Sequence, residues 1–177
     1  MSDKPKPEPR FTREIPPGED RERSVCAHCS FIDYRNPKIV VGSVATWDEN
    51  ILLCRRAIEP RKGFWTLPAG FLETGESVED GALREAFEEA RARLELDRLL
   101  AVYSVPRIAQ VQIMFRARLI APNVAPGPES AAVRLYPWAE IPWPEIAFPT
   151  VGWALRHFYE SRARTDFAPY SNPVEGL

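Results

Sequence analysis

No apolar run in the 177 residues approaches the roughly 18 to 20 that a membrane-spanning helix needs. The first residues also lack the basic start and apolar stretch of a secretory leader. A cytoplasmic protein without a membrane partner is therefore expected. Cysteine is scarce. The three present, Cys26, Cys29 and Cys54, are too few and odd in number for a disulfide scaffold, which suits a reducing compartment. Neither charge is in excess: 23 Lys plus Arg stand against 25 Asp plus Glu, for a net of -2. The basic field that drives non-specific nucleic-acid binding is missing, and no nucleic-acid partner is expected. No segment repeats.

What is present is 45% hydrophobic residues and 11% aromatics, enough for one domain with a core. Residues 1–24 combine five prolines with many charges and few apolar side chains, and read as a tail or draped arm. The expected division is an N-terminal arm over 1–36, a catalytic domain over 37–165 and a C-terminal tail over 166–177. "NPKIVVGSVATW" reads as a strand, with "ENILLCRRA" beside it across a turn at Asp48–Asn50. "LLAVYSVP" and "VQIMFRARLI" read as strands. "FPTVGWALRHFYESRAR" reads as a closing helix, with Val151, Leu155 and Phe158 at helical spacing. The stretch "RLYPWAEIPWPEIAFPTVGW" reads as a wrapped core loop and a helix start.

The segment from Glu73 to Glu89 carries seven acidic side chains and one basic one. Ser77 can cap a helix predicted over about Val78–Ala92, with Asp80 at the reciprocal position. Leu83, Ala86, Phe87, Ala90 and Leu94 follow helical spacing and form the expected buried stripe. Glu85, Glu88 and Glu89 then share an arc of about 100° on the other side. Arg84–Glu88 and Glu89–Arg93 are candidate ion pairs, while Glu85 and Glu89 repel. Gly81 sits on the glutamate side, where a side chain would crowd the patch. Converging carboxylates beside the Gly-bearing loop "LPAG" suit a hard cation such as Mg²⁺ or Mn²⁺.

Gly70, Glu76, Arg84, Glu85, Ala86, Glu88, Glu89 and Ala92 stand in register with G-x5-E-x7-R-E-U-x-E-E-x-G-U, where U is aliphatic. The segment resembles the Nudix box. One position departs from it: Arg91 stands where the box has Gly, which bears on how the helix ends. The resemblance implies an α+β Nudix fold, a mixed β-sheet sandwiched between α-helices. It also implies hydrolysis of a nucleoside diphosphate joined to another group. In this reading Glu85, Glu88 and Glu89 hold Mg²⁺ or Mn²⁺ with the carbonyl of Ala69 or Gly70, Arg84 orients the glutamates, and Glu76 supports the loop. The base that accepts a proton from water is Glu85, Glu88 or, from the loop "APGPES", Glu129.

"CAHCSFIDYRNPKIVVGSV" and "LLCRRAIEPRKGFWTLPAGFLETGES" extend the resemblance to a Nudix subgroup of FAD and ADP-ribose pyrophosphatases with an N-terminal zinc ribbon. FAD or ADP-ribose is the implied substrate, NADH or another dinucleotide the alternative. A catalytically inactive ligand-sensing domain is the reading from another class, opposed by the complete glutamate set. Cys26 and Cys29 are one pair where a closed zinc site needs four ligands, so zinc is not expected and the pair reads as a remnant unless a second chain completes it. Cys54 reads as a buried strand residue. Arg55, Arg56, Arg61 and Lys62 are candidate phosphate grips. Strand alternation lets only one of Arg55 and Arg56 face the cleft. Tyr34, Trp65, Tyr103 and Phe115 could stack a ring, and Gln110 and Gln112, sharing a strand face, could bind substrate by hydrogen-bonding the ring edge. A homodimer is expected.

Overall fold

The computed structural model describes residues 8–174, which divide into a small unit up to Asn36 and a larger one from Pro37 onward. In the small unit β1 (Phe11–Glu14), β2 (Arg23–Cys26) and β3 (Ile32–Asp33) form an antiparallel sheet in the order β1-β2-β3. Within the stretch read as a tail or draped arm, Phe11–Glu14 and Arg23–Cys26 are paired strands. Ladder hydrogen bonds and polar side chains supply what apolar area does not. Arg23 grips Glu19 at 2.9 Å, and the Tyr34 hydroxyl donates to Glu19 at 2.9 Å.

The larger unit holds β4 (Lys38–Trp47), β5 (Asn50–Arg56), β6 (Trp65–Thr66), β7 (Ala69–Phe71), α1 (Val78–Ala90), β8 (Leu94–Val105), β9 (Gln110–Leu119), β10 (Ser130–Pro137) and α2 (Pro149–Ser161). The sheet runs β10-β5-β4-β9-β8. β4 and β9 are parallel and the other ladders antiparallel, so the sheet is mixed. β4 and β5 pair at Thr46–Ile51 and Trp47–Asn50 and then diverge. Beyond that point β7 takes Val40–Gly42 and β6 takes Cys54–Arg55. This fork carries the loop that begins the acidic segment to the sheet's open end.

The fold is α+β, with one helix on each face. Towards α2 the core includes Val44, Leu53, Tyr103, Trp153 and Leu155. Towards α1 it includes Ala45, Leu52, Cys54, Ala86 and Ala90. β10 was not expected; its Val133 and Leu135 alternate with Arg134, a pattern the surrounding prolines hide. Leu94 opens β8 instead of completing a helical stripe. Within the expected tail, Tyr170 and Asn172 make defined contacts. Tyr170 exchanges backbone hydrogen bonds of 2.9 Å with Leu100 and Val102, and Asn172 brackets Ser104 at 2.9 and 2.7 Å, covering the outer edge of β8.

Candidate active site

Helix α1 starts where the sequence indicates. The Ser77 hydroxyl accepts from the Asp80 N–H at 3.1 Å and donates to the Asp80 carboxylate at 2.7 Å. Glu79 and Asp80 in the first turn complement the helix dipole. The end comes at Ala90, two residues before expectation. Arg91 takes the left-handed conformation at φ 52°, the Arg91 N–H bonds the Phe87 carbonyl at 2.9 Å, and the Ala92 N–H bonds that of Ala86 at 3.2 Å. This is the closure a glycine usually provides, made here by arginine at a steric cost of about 1 kcal/mol. The last carbonyls are met from outside, Ala90 by the Ala125 N–H at 2.9 Å and Glu89 by the Gly127 N–H at 3.0 Å.

The buried face of α1 differs from the stripe of large residues expected. Ala82, Ala86 and Ala90 meet the sheet, whereas Phe87 is 44% exposed. Small side chains let the helix approach closely, and this draws Glu85 (9% exposed) and Glu89 (5%) inward; the expectation that all three glutamates point away from the core is corrected. Glu88 stays outside, its side chain 55% exposed. A Cβ on Gly70 would collide with the Glu85 carboxylate, and one on Gly81 would press Val41, Glu76 and Leu72 at about 3 Å. Both glycines therefore clear space beside the acidic cluster.

Arg84 organises the loop and helix together. Its guanidinium grips both oxygens of Glu76 (3.0 and 2.8 Å), one each of Glu85 (2.7 Å) and Glu88 (3.0 Å), and the Phe71 carbonyl (2.9 Å). The Arg84 hydrogen bonds hold the Glu76 carboxyl down at about 2, and Arg84 itself is pushed up by the same partners. Glu89 receives the Ala69 N–H at 3.2 Å. Arg93 lies beyond the helix, so the i, i+4 pairing expected for Glu89–Arg93 has no helical turn to rest on. Burial pushes Glu89 up to about 8 despite the Ala69 hydrogen bond, with Glu85 and Glu129 adding repulsion and Arg56 opposing it. Glu85 is raised first by burial, against the pull of Arg84.

The Glu129 charge adds to the repulsion on both Glu85 and Glu89. It is carried by the loop before β10, held where the Ala57 N–H meets the Glu129 carbonyl at 2.8 Å. Gly127, absent from the expected site, lets that loop seat, because a Cβ there would strike the Glu88 carbonyl. The glycine-proline punctuation of "APGPES" was the available signal.

The two arginines at the end of β5 face opposite ways, as alternation requires. Arg56 shares its face with Cys54 and acts on Glu89, its Nε donating to the Pro60 carbonyl at 2.7 Å. Arg55 donates to the Gly63 carbonyl at 2.7 Å, with its guanidinium 6.0 Å from the Trp65 ring. Arg61 lies exposed in the loop, 5.2 Å over Phe64. Trp65 is not in the cleft. It is 7% exposed and set edge-on to Tyr136 at 5.1 Å in the α2-side core. Tyr103 and Phe115 are core residues as well. Gln112 donates to Gln110 at 3.2 Å, and Gln112 pairs across with Tyr103 on the sheet face opposite the glutamates. Tyr34 belongs to the small unit. Cys54 is buried, its thiol raised by burial and then by the Glu89 charge.

All the candidate donors are hard oxygens, the chemistry that suits a small divalent cation. In this structure Arg84 holds Glu85 and Glu88 while Ala69 holds Glu89, so among the described residues no three acidic, His or Cys side chains are drawn into a common cage. Two buried, mutually repelling carboxylates, Glu85 and Glu89, with the more exposed Glu88 beside them, nonetheless fit a cation that would relieve the repulsion.

The NUDIX domain family model matches residues 36–159, and the model described as Nudix N-terminal matches 9–35. The chain is 44% identical to a NUDIX hydrolase of known structure from Nitrosomonas europaea, with a TM-score of 0.87 over 92% of this chain and 93% of that one. It is 32% identical to an ADP-ribose pyrophosphatase of Methanocaldococcus jannaschii over 62% of this chain and 67% of that protein. It is 40% identical to the NAD-capped RNA hydrolase NudC of Edwardsiella ictaluri over 50% of this chain, an alignment spanning 34% of that relative's length.

Proposed function

This chain belongs to the Nudix family, and from that membership we propose that it hydrolyses the pyrophosphate of ADP-ribose or FAD, giving AMP with ribose 5-phosphate or FMN. The observation that carries this reading is the acidic cluster at the Gly70 turn, with Glu85 and Glu88 held by Arg84 and Glu89 by the Ala69 N–H. The relative named ADP-ribose pyrophosphatase favours the ribosyl substrate.

Glu85, Glu88 and Glu89, with a backbone carbonyl of the Ala69–Gly70 turn, are assigned to hold Mg²⁺ or Mn²⁺. When bound, such an ion neutralises charge on the phosphates and acidifies water. Arg84 positions Glu85 and Glu88 through one oxygen of each. Glu129 is assigned as the base. Arg84 holds Glu85 and Glu88 through short hydrogen bonds, and Glu129 reaches the same region from a separate loop. Arg56, the cation on the glutamate face, is assigned to a phosphate oxygen, with Arg61 entering from the loop. Trp65 is withdrawn from the substrate-binding set because its ring faces are packed. A homodimer remains the proposed assembly, with Trp143 and Tyr159 partly exposed beside Trp138 on one surface.

The test is a panel of ADP-ribose, FAD, NADH and 8-oxo-dGTP with Mg²⁺ or Mn²⁺, products separated by chromatography. AMP should appear from ADP-ribose or FAD, and Glu85→Gln should lower kcat by about 10²-fold or more. If nothing in the panel turns over while ADP-ribose still binds, a ligand-sensing domain is the correct reading.

A further inference from the structure

The small unit matches a family model for a zinc ribbon, but its donors do not suit a closed zinc site. Such a site takes four ligands. Here Cys26 and Cys29 are the thiols of the unit, and residues 9–16, "PRFTREIP", which include the strand β1 paired with β2, contain neither Cys nor His. Among the described residues no three His, Cys, Asp or Glu side chains gather to hold a metal. The unit has other supports: the β1-β2-β3 ladder, the buried Val25 and Cys26, and the Glu19–Arg23–Tyr34 group, in which the Arg23 guanidinium lies 5.2 Å over the Tyr34 ring.

What the unit retains is a pair of thiols on a tight turn. The Ser30 N–H bonds the Cys26 carbonyl at 2.8 Å, and the Cys26 N–H bonds the Phe31 carbonyl at 2.8 Å. Ser30 reverses the chain at φ 58°. The Cys26–Ser30 bond closes one helix-like turn, in which residues i and i+3 have Cα atoms about 5 Å apart, inside the range a disulfide spans. The backbone N–H groups of His28 and Cys29, and then the Cys29 thiol, lower the pKa of the Cys26 thiol below its ordinary value, against the effect of desolvation. Cys26 is buried and Cys29 exposed. One thiol is accessible to a reagent and the other waits beside it.

We propose that Cys26 and Cys29 form a reversible dithiol–disulfide site, oxidised by a low-molecular-weight disulfide, in a unit that folds without zinc. The Cys29 thiolate attacks one sulfur of the incoming disulfide, forming a mixed disulfide and expelling one thiolate. Cys26, as thiolate stabilised by its two N–H donors, then attacks the Cys29 sulfur and expels the second. The protein loses two protons and two electrons, and the small disulfide becomes two thiols. Reduction by excess small thiol runs the same steps backwards. Cys54, buried in the larger unit, takes no part.

The test equilibrates the full chain in glutathione buffers from fully reduced to fully oxidised, quenches, denatures, labels free thiols with a maleimide and reads intact mass. Three labels are expected on the reduced chain and one on the oxidised chain, with the residual label mapping to Cys54. Cys26→Ser and Cys29→Ser should each lose the intramolecular link and carry glutathione on the remaining member of the pair. Three labels throughout the series, or glutathione on both cysteines of the unaltered chain, would overturn the proposal. In parallel, the reduced, chelator-treated chain is melted with and without one equivalent of zinc. Equal melting temperatures support it; zinc retained through desalting with a raised melting temperature overturns it.

Discussion

At the scale of single residues, two side chains stand in environments that oppose their own preference. Glu89 is one: burial raises its carboxyl to about 8 when no cation is present. The folded chain therefore binds a proton that the unfolded chain, titrating near the ordinary carboxylate value, has released. That contribution to stability is complete at low pH and is lost as pH rises from about 4.5 through about 8. The metal-free protein should accordingly melt at lower temperature as pH increases over this window, and Glu89→Gln should flatten the dependence. The same variant should lose turnover with Mg²⁺ or Mn²⁺. A slope unchanged by Glu89→Gln would place the titration elsewhere. Arg91 is the other, a residue with a Cβ at φ 52° closing α1. Arg91→Gly removes the steric cost but adds chain entropy to the unfolded state and loses the contact 5.3 Å over the exposed Phe87 ring. The net expectation is a gain of about 0.5 kcal/mol by denaturant titration.

At the scale of elements, α1 and the loop before β10 behave as one device. The loop's N–H groups complete the helix end and its Glu129 adds to the charge repulsion on the buried glutamates. Gly127→Ala forces a Cβ against the Glu88 carbonyl and should cost about 1–3 kcal/mol. It should also shift Glu129, lowering kcat with KM nearly unchanged; an unaltered kcat would remove Glu129 from the chemistry. The beginning of α1 was legible because Ser77 and Asp80 act locally, and the glutamate triplet was legible because its spacing is fixed by the helix. Which side of the helix is buried was not. Periodicity favours the largest apolar residues, yet alanines, having little side chain, fit the tight approach to the sheet and leave Phe87 outside. The strands of the small unit escaped for a related reason: β1 is exposed along its length and offers no alternation to read. Arg56 was separable from Arg55 as a matter of alternation, but choosing between them needed the register of β5 against β6 and β10.

At the scale of the whole molecule, the division expected from composition treated residues 166–177 as a tail, whereas Tyr170 and Asn172 bond along β8. Tyr170 also stacks on His157 at 4.2 Å, and the His157 ring shares a 2.7 Å hydrogen bond with the core Tyr103 hydroxyl. Removing residues 166–177 should lower stability by on the order of 2–4 kcal/mol, from four lost hydrogen bonds and one ring stack. It should also bare a strand edge able to pair with another chain. Light scattering of the truncated protein checks this, and a truncated form that stays as stable and as dispersed as the parent would mean the edge is protected by other means. The seat along β8 is in effect a socket with its own plug. A synthetic peptide of residues 165–174, added to the shortened chain, should slot back and restore its melting behaviour, making the protein reconstitutable from two fragments.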